Sequence, residues 1–296
     1  MDENVLLSGY HHQDGPSLTF DRFSGDVGRF SIPLIGKKFS LTAYPERFCT
    51  GSFNLEILEG APCVSQSELL NTSNQSCYPC FDLTGFNPSF YHMAKSDISP
   101  QQRAYNNTPH AVYLAYFTDG LIKVGISSEK RKAVRWVEQG ARVVAHILTC
   151  PNAYEARHNE EMISKALKLP EVVLGKKKRS ILTYALDESG AKSALVDLIK
   201  RIQEKLSVTC HHDRIDSLDS SYNPNSIVLN NTIIDLSYEV EKKISGAFIG
   251  LYGDILVVEN GSNQFMLSLK KIIGHRVEFT DRIEKVSFEP QQISLF

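Results

Sequence analysis

Short alternations of apolar and polar residues fill positions 17–60, as in Arg29-Phe-Ser-Ile-Pro-Leu-Ile and Lys38-Phe-Ser-Leu-Thr-Ala-Tyr, with glycines between them. A period of two puts every second side chain on one face of a strand, so this region predicts β-hairpins. From Cys49 to Cys80 the pattern stops. The segment is rich in Ser, Asn, Gly and Pro, and hydrogen-bonded elements alone would hold it weakly. Two apolar strands then appear, Ala111-Val-Tyr-Leu-Ala-Tyr-Phe and Leu121-Ile-Lys-Val-Gly-Ile-Ser, joined across Asp119-Gly120, a strong hairpin signal. A helix from Arg131 to about Glu138 follows, with Ser127 or Ser128 as its cap and Gly140 as its end, then a buried strand from Val143 to Thr149. Beyond Pro151 come a helix from about Ala153 to Leu167, a lysine-rich loop from Gly175 to Arg179, and a short strand at 181–186. An amphipathic helix from Ala191 to Leu206 closes this part, with Leu195, Leu198, Ile199 and Ile202 on one face.

Residues 207–226, with His211, His212 and several Asp, Ser and Asn, predict an exposed linker. The remainder alternates strand and turn, around Gly246-Ala-Phe-Ile-Gly-Leu-Tyr-Gly and Ile255-Leu-Val-Val-Glu-Asn-Gly, as expected of a small barrel-like sheet with a polar tail. The predicted class is therefore α+β. A β-rich unit (1–108) precedes an α/β core of hairpin, helix, strand and helix (109–206); the linker (207–226) and a small all-β unit (227–296) follow.

Composition refines this picture. A chain of 296 residues that is 42% hydrophobic and 22% charged is of ordinary globular make-up. No apolar run approaches the roughly 20 residues of a membrane span, and the opening MDENVLLSGYHHQDG lacks the basic and apolar regions of a secretion leader, so a cytoplasmic chain is expected. The net charge of −2 argues against a protein that coats nucleic acid. Residues 110–206 nevertheless carry 17 Lys and Arg against 11 Asp and Glu, so DNA or RNA would meet the molecule there.

Six cysteines in a reducing compartment predict metal ligands or small buried hydrophobes rather than disulfides. Cys77-X-X-Cys80 has the two-residue gap that brings both thiolates to one ion, and Cys49 and Cys63 lie upstream in the same aperiodic segment. Four soft thiolates favour tetrahedral zinc, and a closed set leaves no position for water or substrate, which makes its role structural. Two rivals stay open. A redox Cys-X-X-Cys wants its first thiol at a helix N-terminus, and Phe81-Asp-Leu-Thr-Gly-Phe-Asn-Pro promises no helix. Four unrelated cysteines are the other. His92 is a possible substitute ligand, while Cys150 and Cys210 lie apart and are expected not to bind.

Val112-Tyr113-Leu114, followed ten residues after the tyrosine by Lys123-Val124-Gly125, resembles the paired strands of GIY-YIG nucleases, with Arg135 on the next helix and Glu160 on the one after. From about Arg47 to Phe279 the chain also resembles an uncharacterised family, domain of unknown function 2797. Phe48-Cys-Thr-Gly, Cys77-X-X-Cys80, Pro109-His-Ala-Val-Tyr-Leu-Ala, Ile122-Lys-Val-Gly-Ile, Arg135-Trp-Val-Glu-Gln-Gly-Ala and the late glycine-rich strand carry that likeness.

The nuclease resemblance implies a metal-dependent phosphodiesterase acting on DNA or RNA. Tyr113 would be the base or water-orienting phenol, Lys123 would depress its pKa or contact phosphate, Arg135 would hold phosphate, and Glu160 would bind magnesium or manganese. His110, entering the first strand, is a further acid–base candidate. Arg131 could replace Arg135, and Glu155 or Glu161 could replace Glu160. Lys123 stands where the family pattern has its second tyrosine. Each residue also has a structural reading, as core tyrosine, surface lysine or helix ion pair, with Trp136 as packing and Lys176 to Arg179 as a solvated loop. The alternative is a non-catalytic zinc-containing module that binds nucleic acid or nucleotide, or the same scaffold recruited for other chemistry.

Overall fold

The computed structural model describes residues 3–23, 28–70 and 75–286, and the end of the polar tail, 287–296, lies outside them. The alternating N-terminal region forms β1 (Glu3–His11), β2 (Ser17–Arg22), β3 (Arg29–Pro33) and β4 (Lys38–Arg47). The aperiodic segment holds a small ribbon, β5 (Ser52–Asn54) with β6 (Glu59–Ala61), and a short helix, α1 (Tyr78–Thr84). This helix departs from the expectation of none after Cys80. Proline in its first turn sits where the missing N–H is harmless, and Gly85, at φ 58°, ends it.

After α2 (Pro100–Asn106) come β7 (His110–Thr118), β8 (Leu121–Ser128), α3 (Lys132–Glu138), β9 (Val143–Cys150) and α4 (Ala153–Leu167), in the expected order. Ser127 and Ser128 stay inside β8, so neither caps α3; Arg131 occupies the cap position without a side-chain bond. A short helix, α5 (Gly175–Ser180), replaces the expected lysine-rich loop. No strand forms at 181–186. The outer edge of β8 is already in use, its Val124 N–H donating to Pro170 O at 3.2 Å, and Ile181 packs into a core instead. α6 (Glu188–Leu206) starts earlier than the apolar stripe suggested, because the Asp187 carboxylate accepts from the Gly190 N–H and caps it.

The expected linker is largely built into the structure. β10 (Ile215–Ser217) pairs with β9, and α7 (Asp219–Tyr222) delivers Tyr222, fully buried, with its hydroxyl donating to Ala141 O at 2.6 Å. One aromatic anchor outweighs a polar neighbourhood that reads as exposed.

The final strands, β11 (Ile234–Asp235), β12 (Lys242–Tyr252), β13 (Ile255–Asn260), β14 (Asn263–Ser268) and β15 (His275–Thr280), do not close a barrel. They join the N-terminal strands in one open nine-stranded sheet, ordered β11-β14-β13-β12-β4-β15-β1-β2-β3. β4 lies between β12 and β15, so the two ends of the chain share one core, with Leu7, Phe20 and Phe39 against Ile244, Leu267 and Phe279. The alternation of each strand is satisfied by its non-local neighbours.

A second sheet, ordered β10-β9-β7-β8, is covered on both faces. Val112, Leu114 and Tyr116 of β7 pack with Ile163 of α4 and Leu195 and Ile199 of α6, while Tyr113, Ala115 and Phe117 face Trp136 of α3 and Ile249 and Val257 of the large sheet. Double burial explains why β7 reads as an apolar run rather than an alternation. It also places Tyr113 in the seam between the two sheets. Among the described residues no helix is long and apolar enough to cross a membrane.

Candidate functional site

Cys49 follows β4, Cys63 follows β6, Cys77 caps α1 and Cys80 lies in its first turn. Their sulfurs all lie within 4.8 Å of one another. The Cys63–Cys77 separation of 3.9 Å compares with an edge of about 3.8 Å in a tetrahedron built on the usual zinc–sulfur bond. Backbone N–H groups of Gly51 and Cys77 donate to the Cys49 sulfur at 3.3 and 3.2 Å, and Ser65 Oγ lies 3.4 Å from the Cys63 sulfur. Donors aimed at sulfur favour thiolate.

Burial pushes the Cys49 and Cys80 thiols up. Burial acts the same way on Cys63, but hydrogen bonds from Ser65, the Ser67 N–H and neighbouring thiols outweigh it and bring Cys63 down to about 6. Holding all four as thiolates requires a cation, and the donor set fits a tetrahedral soft-ligand metal. Cys77 does cap a helix, as the redox reading asked, yet that pair stands among two further thiols. His92 is exposed outside the group, and Cys150, at the end of β9, and Cys210 are buried in the core shared with α4 and α6. The segment is tied to the large sheet by Arg29, which pairs with Asp21 at 2.7 and 2.9 Å and donates to Thr50 O at 2.8 Å.

On the hairpin, Tyr113 pairs in register with Gly125, and Ala115 with Lys123, which places Tyr113 and Lys123 on one face. A Cβ on Gly125 would lie 2.7 Å from the phenol Cζ and oxygen, so only glycine lets the ring cross β8. Tyr113 is 1% exposed, packed edge-on against Trp136 at 5.9 Å, and its hydroxyl accepts from Gln139 Nε2. Burial raises its pKa, against the pull of Arg135 and Gln139. Lys123 is 7% exposed and donates to Glu171 O at 3.2 Å; burial, then the charge of Arg135, lowers it to about 8.

Glu160 is buried on α4, with Arg157 Nη1 at 2.5 Å from its Oε2; the same nitrogen lies 2.8 Å from Glu171. Burial pushes the Glu160 carboxyl up and Arg157 only partly pulls it back. Arg135, with 44% of its side chain exposed, has Glu138 at 3.8 Å. Tyr113, Lys123, Arg135 and Glu160 thus lie within electrostatic reach of one another. The substitutes are engaged elsewhere. Arg131 bonds Glu138 at 2.9 Å, Glu155 pairs with Asn152, and Glu161 pairs with Lys165.

His110 stands apart from these four. Three residues from Tyr113 on β7, it faces the other side, with its Nδ1 2.8 Å from Thr108 O. The basic run divides. Lys176 and Lys177 are exposed, whereas Lys178 donates to Gln139 O at 2.6 Å and Arg179 is buried against Asp235 at 2.8 Å. Gln139, Arg157 and Glu171 carry no motif signal as site residues, and Lys178 belongs to the run expected to be a solvated loop. Gln139 lies one helical turn beyond Arg135 and could have been found from that spacing; the others depend on long-range folding.

No curated protein and no solved structure matches the chain. A family model described as "Protein of unknown function (DUF2797)" matches residues 36–277, from the β3–β4 turn into the first half of β15 and including the four cysteines and the hairpin. The chain belongs to this DUF2797 family.

Proposed function

We propose that this protein is a zinc-stabilised, non-catalytic module that binds nucleic acid through the basic side of a GIY-YIG-like hairpin unit. The observation that carries this reading is the sealing of Tyr113, 1% exposed and hydrogen-bonded to Gln139. A phenol whose pKa is raised by burial is a poor base for water, and a Glu160 carboxylate already held by Arg157 is poorly placed to recruit a divalent ion. Half-exposed Arg135, with Lys176 and Lys177 on α5, offers cations without tight carboxylate partners to a phosphate backbone. Lys178 draws α5 against the end of α3 by its bond to Gln139 O.

A second reading, a magnesium- or manganese-dependent phosphodiesterase, is favoured by one observation. Tyr113, Lys123, Arg135 and Glu160, from four separate elements, share one electrostatic neighbourhood. Lys123, at about 8, would then be a better proton acceptor than Tyr113. One experiment separates the two. Zinc-loaded protein is incubated with single- and double-stranded DNA and RNA and magnesium or manganese, and binding is followed at several salt concentrations alongside product. The binding reading expects affinity that falls steeply with salt, is weakened by Arg135→Ala, and yields no product. Product that disappears in an Arg135→Ala, Glu160→Gln double variant would establish the phosphodiesterase instead.

A further inference from the structure

His146 sits on β9 opposite Tyr113 of β7, 2% exposed, in a charged knot that the hairpin site does not use. Its Nε2 lies 3.0 Å from Leu148 O, 3.2 Å from Thr149 Oγ1 and 3.2 Å from Glu129 Oε1. Its Nδ1 faces Lys132 Nζ at 3.3 Å and Arg214 Nη1 at 3.4 Å. An ammonium and a guanidinium can only donate, so the neutral tautomer with its proton on Nε2 satisfies both sides of the ring. A second proton, on Nδ1, would point at two cations. Glu129 faces the ring but is itself held by Lys132 Nζ at 2.6 Å, and the His211 ring, 5.1 Å away, adds no negative charge.

The groups around this imidazole come from four places in the chain. Glu129 lies just past β8, Lys132 is on α3, Thr149 is on β9, and His211 and Arg214 precede β10. The His146 N–H also donates to Arg214 O at 2.9 Å. Trp136, on the same short helix as Lys132, has its ring 6.3 Å from His146 and 5.9 Å from Tyr113.

We infer that His146 is a proton-operated latch for α3: neutral, it accepts from Lys132 and Arg214 and holds the helix to the sheet; protonated, it repels both and releases the helix. Release of α3 would displace Arg135 and Gln139 together and open the seam over Tyr113. Burial, then the charge of Lys132, holds the imidazole below its ordinary value, so the latch opens on the acid side of neutrality. The latch stands on these contacts alone; its consequence for nucleic-acid affinity rests on the binding reading above.

Trp136 is the single tryptophan of the chain and is 5% exposed, so its access to a quencher reports on the position of α3. The full-length protein is titrated from about pH 8 to about pH 5, spanning the histidine range, with acrylamide quenching read at each step and circular dichroism confirming the fold. The quenching constant of the native sequence is expected to rise severalfold along a one-proton curve. His146→Gln should abolish the transition. Lys132→Met, which removes the ammonium through which α3 holds the ring, should leave quenching high and flat across the titration. Constant quenching in the native sequence, a His146→Gln titration like the native one, or a Lys132→Met titration that keeps the native transition each overturns the latch. No nucleic acid enters the experiment, so failure of the binding reading leaves its result untouched.

Discussion

Gly125 and Tyr113 are complementary at the scale of single atoms. The ring is wedged against Trp136 and bonded to Gln139, so a methyl group 2.7 Å from the phenol meets no flexible tip that could give way. Gly125→Ala is expected to cost about 1–3 kcal/mol by overpacking, seen as a lower urea midpoint at unchanged m-value. A loss below a few tenths of a kcal/mol would mean that the ring is free to move. Lys123 makes the opposite argument. Its folded value of about 8 lies below the ordinary 10.5, so between these values the unfolded chain binds more protons and stability rises with pH. Below that window the charged form is penalised in full. Lys123→Met should therefore raise stability at neutral pH, by roughly 1–3 kcal/mol, and the gain should shrink as pH climbs toward about 10. Urea unfolding at both pH values decides it: a variant less stable at neutral pH would show that the bond to Glu171 O and the attraction of Glu160 outweigh the cost of burial.

Among the elements, the cysteine segment is the one whose order depends on something other than packing. Among its described residues the cluster of buried side chains is essentially the cysteines themselves, and regular hydrogen bonds come from the β5–β6 ribbon, the Phe48–Glu68 bridge and α1. A metal held by the four thiolates would turn its binding energy into folding energy there. Purified protein is expected to carry close to one zinc per chain by elemental analysis, and a strong chelator or Cys77→Ser should release backbone protection across residues 49–84 in hydrogen exchange while leaving β7 and β9 protected. Full protection in zinc-free protein would remove the structural-metal reading. This site was legible because Cys-X-X-Cys spacing is a local signal, and so were the hairpin, α4 and α6, whose turn, cap and periodicity are local too. The short strand at 181–186 was misread because its neighbours in space, not its own residues, decided it. Pro170 had already taken the edge of β8. Tyr222 escaped notice for the same reason: its partner, Ala141, lies 81 positions away. The convergence of Arg135 and Glu160 on the hairpin was expected only through family resemblance, while the Gln139 bond and the Arg157 pair that close the site depend on side-chain geometry that no spacing encodes.

At the scale of the whole molecule, the first and last parts of the chain are interdependent. β4 lies between β12 and β15, and β1 pairs with the far side of β15, so removing the N-terminal strands exposes three ladder edges, one on β12 and both on β15, and strips Phe39 and Leu41 from the shared core. A small β unit that began at residue 227 would present unpaired, apolar edges to solvent, a setting that favours aggregation over folding. The seam carries the dependence further, since Trp136 and Tyr113 rest on Ile249 and Val257 of the large sheet. A chain shortened to residues 109–296 is therefore expected to lose the cooperative unfolding of the full protein and to give poorly dispersed amide spectra, not only over β12–β15 but also around α3 and β7. The full chain should unfold in one transition by circular dichroism and by Trp136 fluorescence, with coincident midpoints, because the reporter sits where the two sheets meet. Separate midpoints, or a shortened chain with native-like dispersion around Tyr113, would show that the hairpin unit keeps its own stability and that the large sheet only covers it.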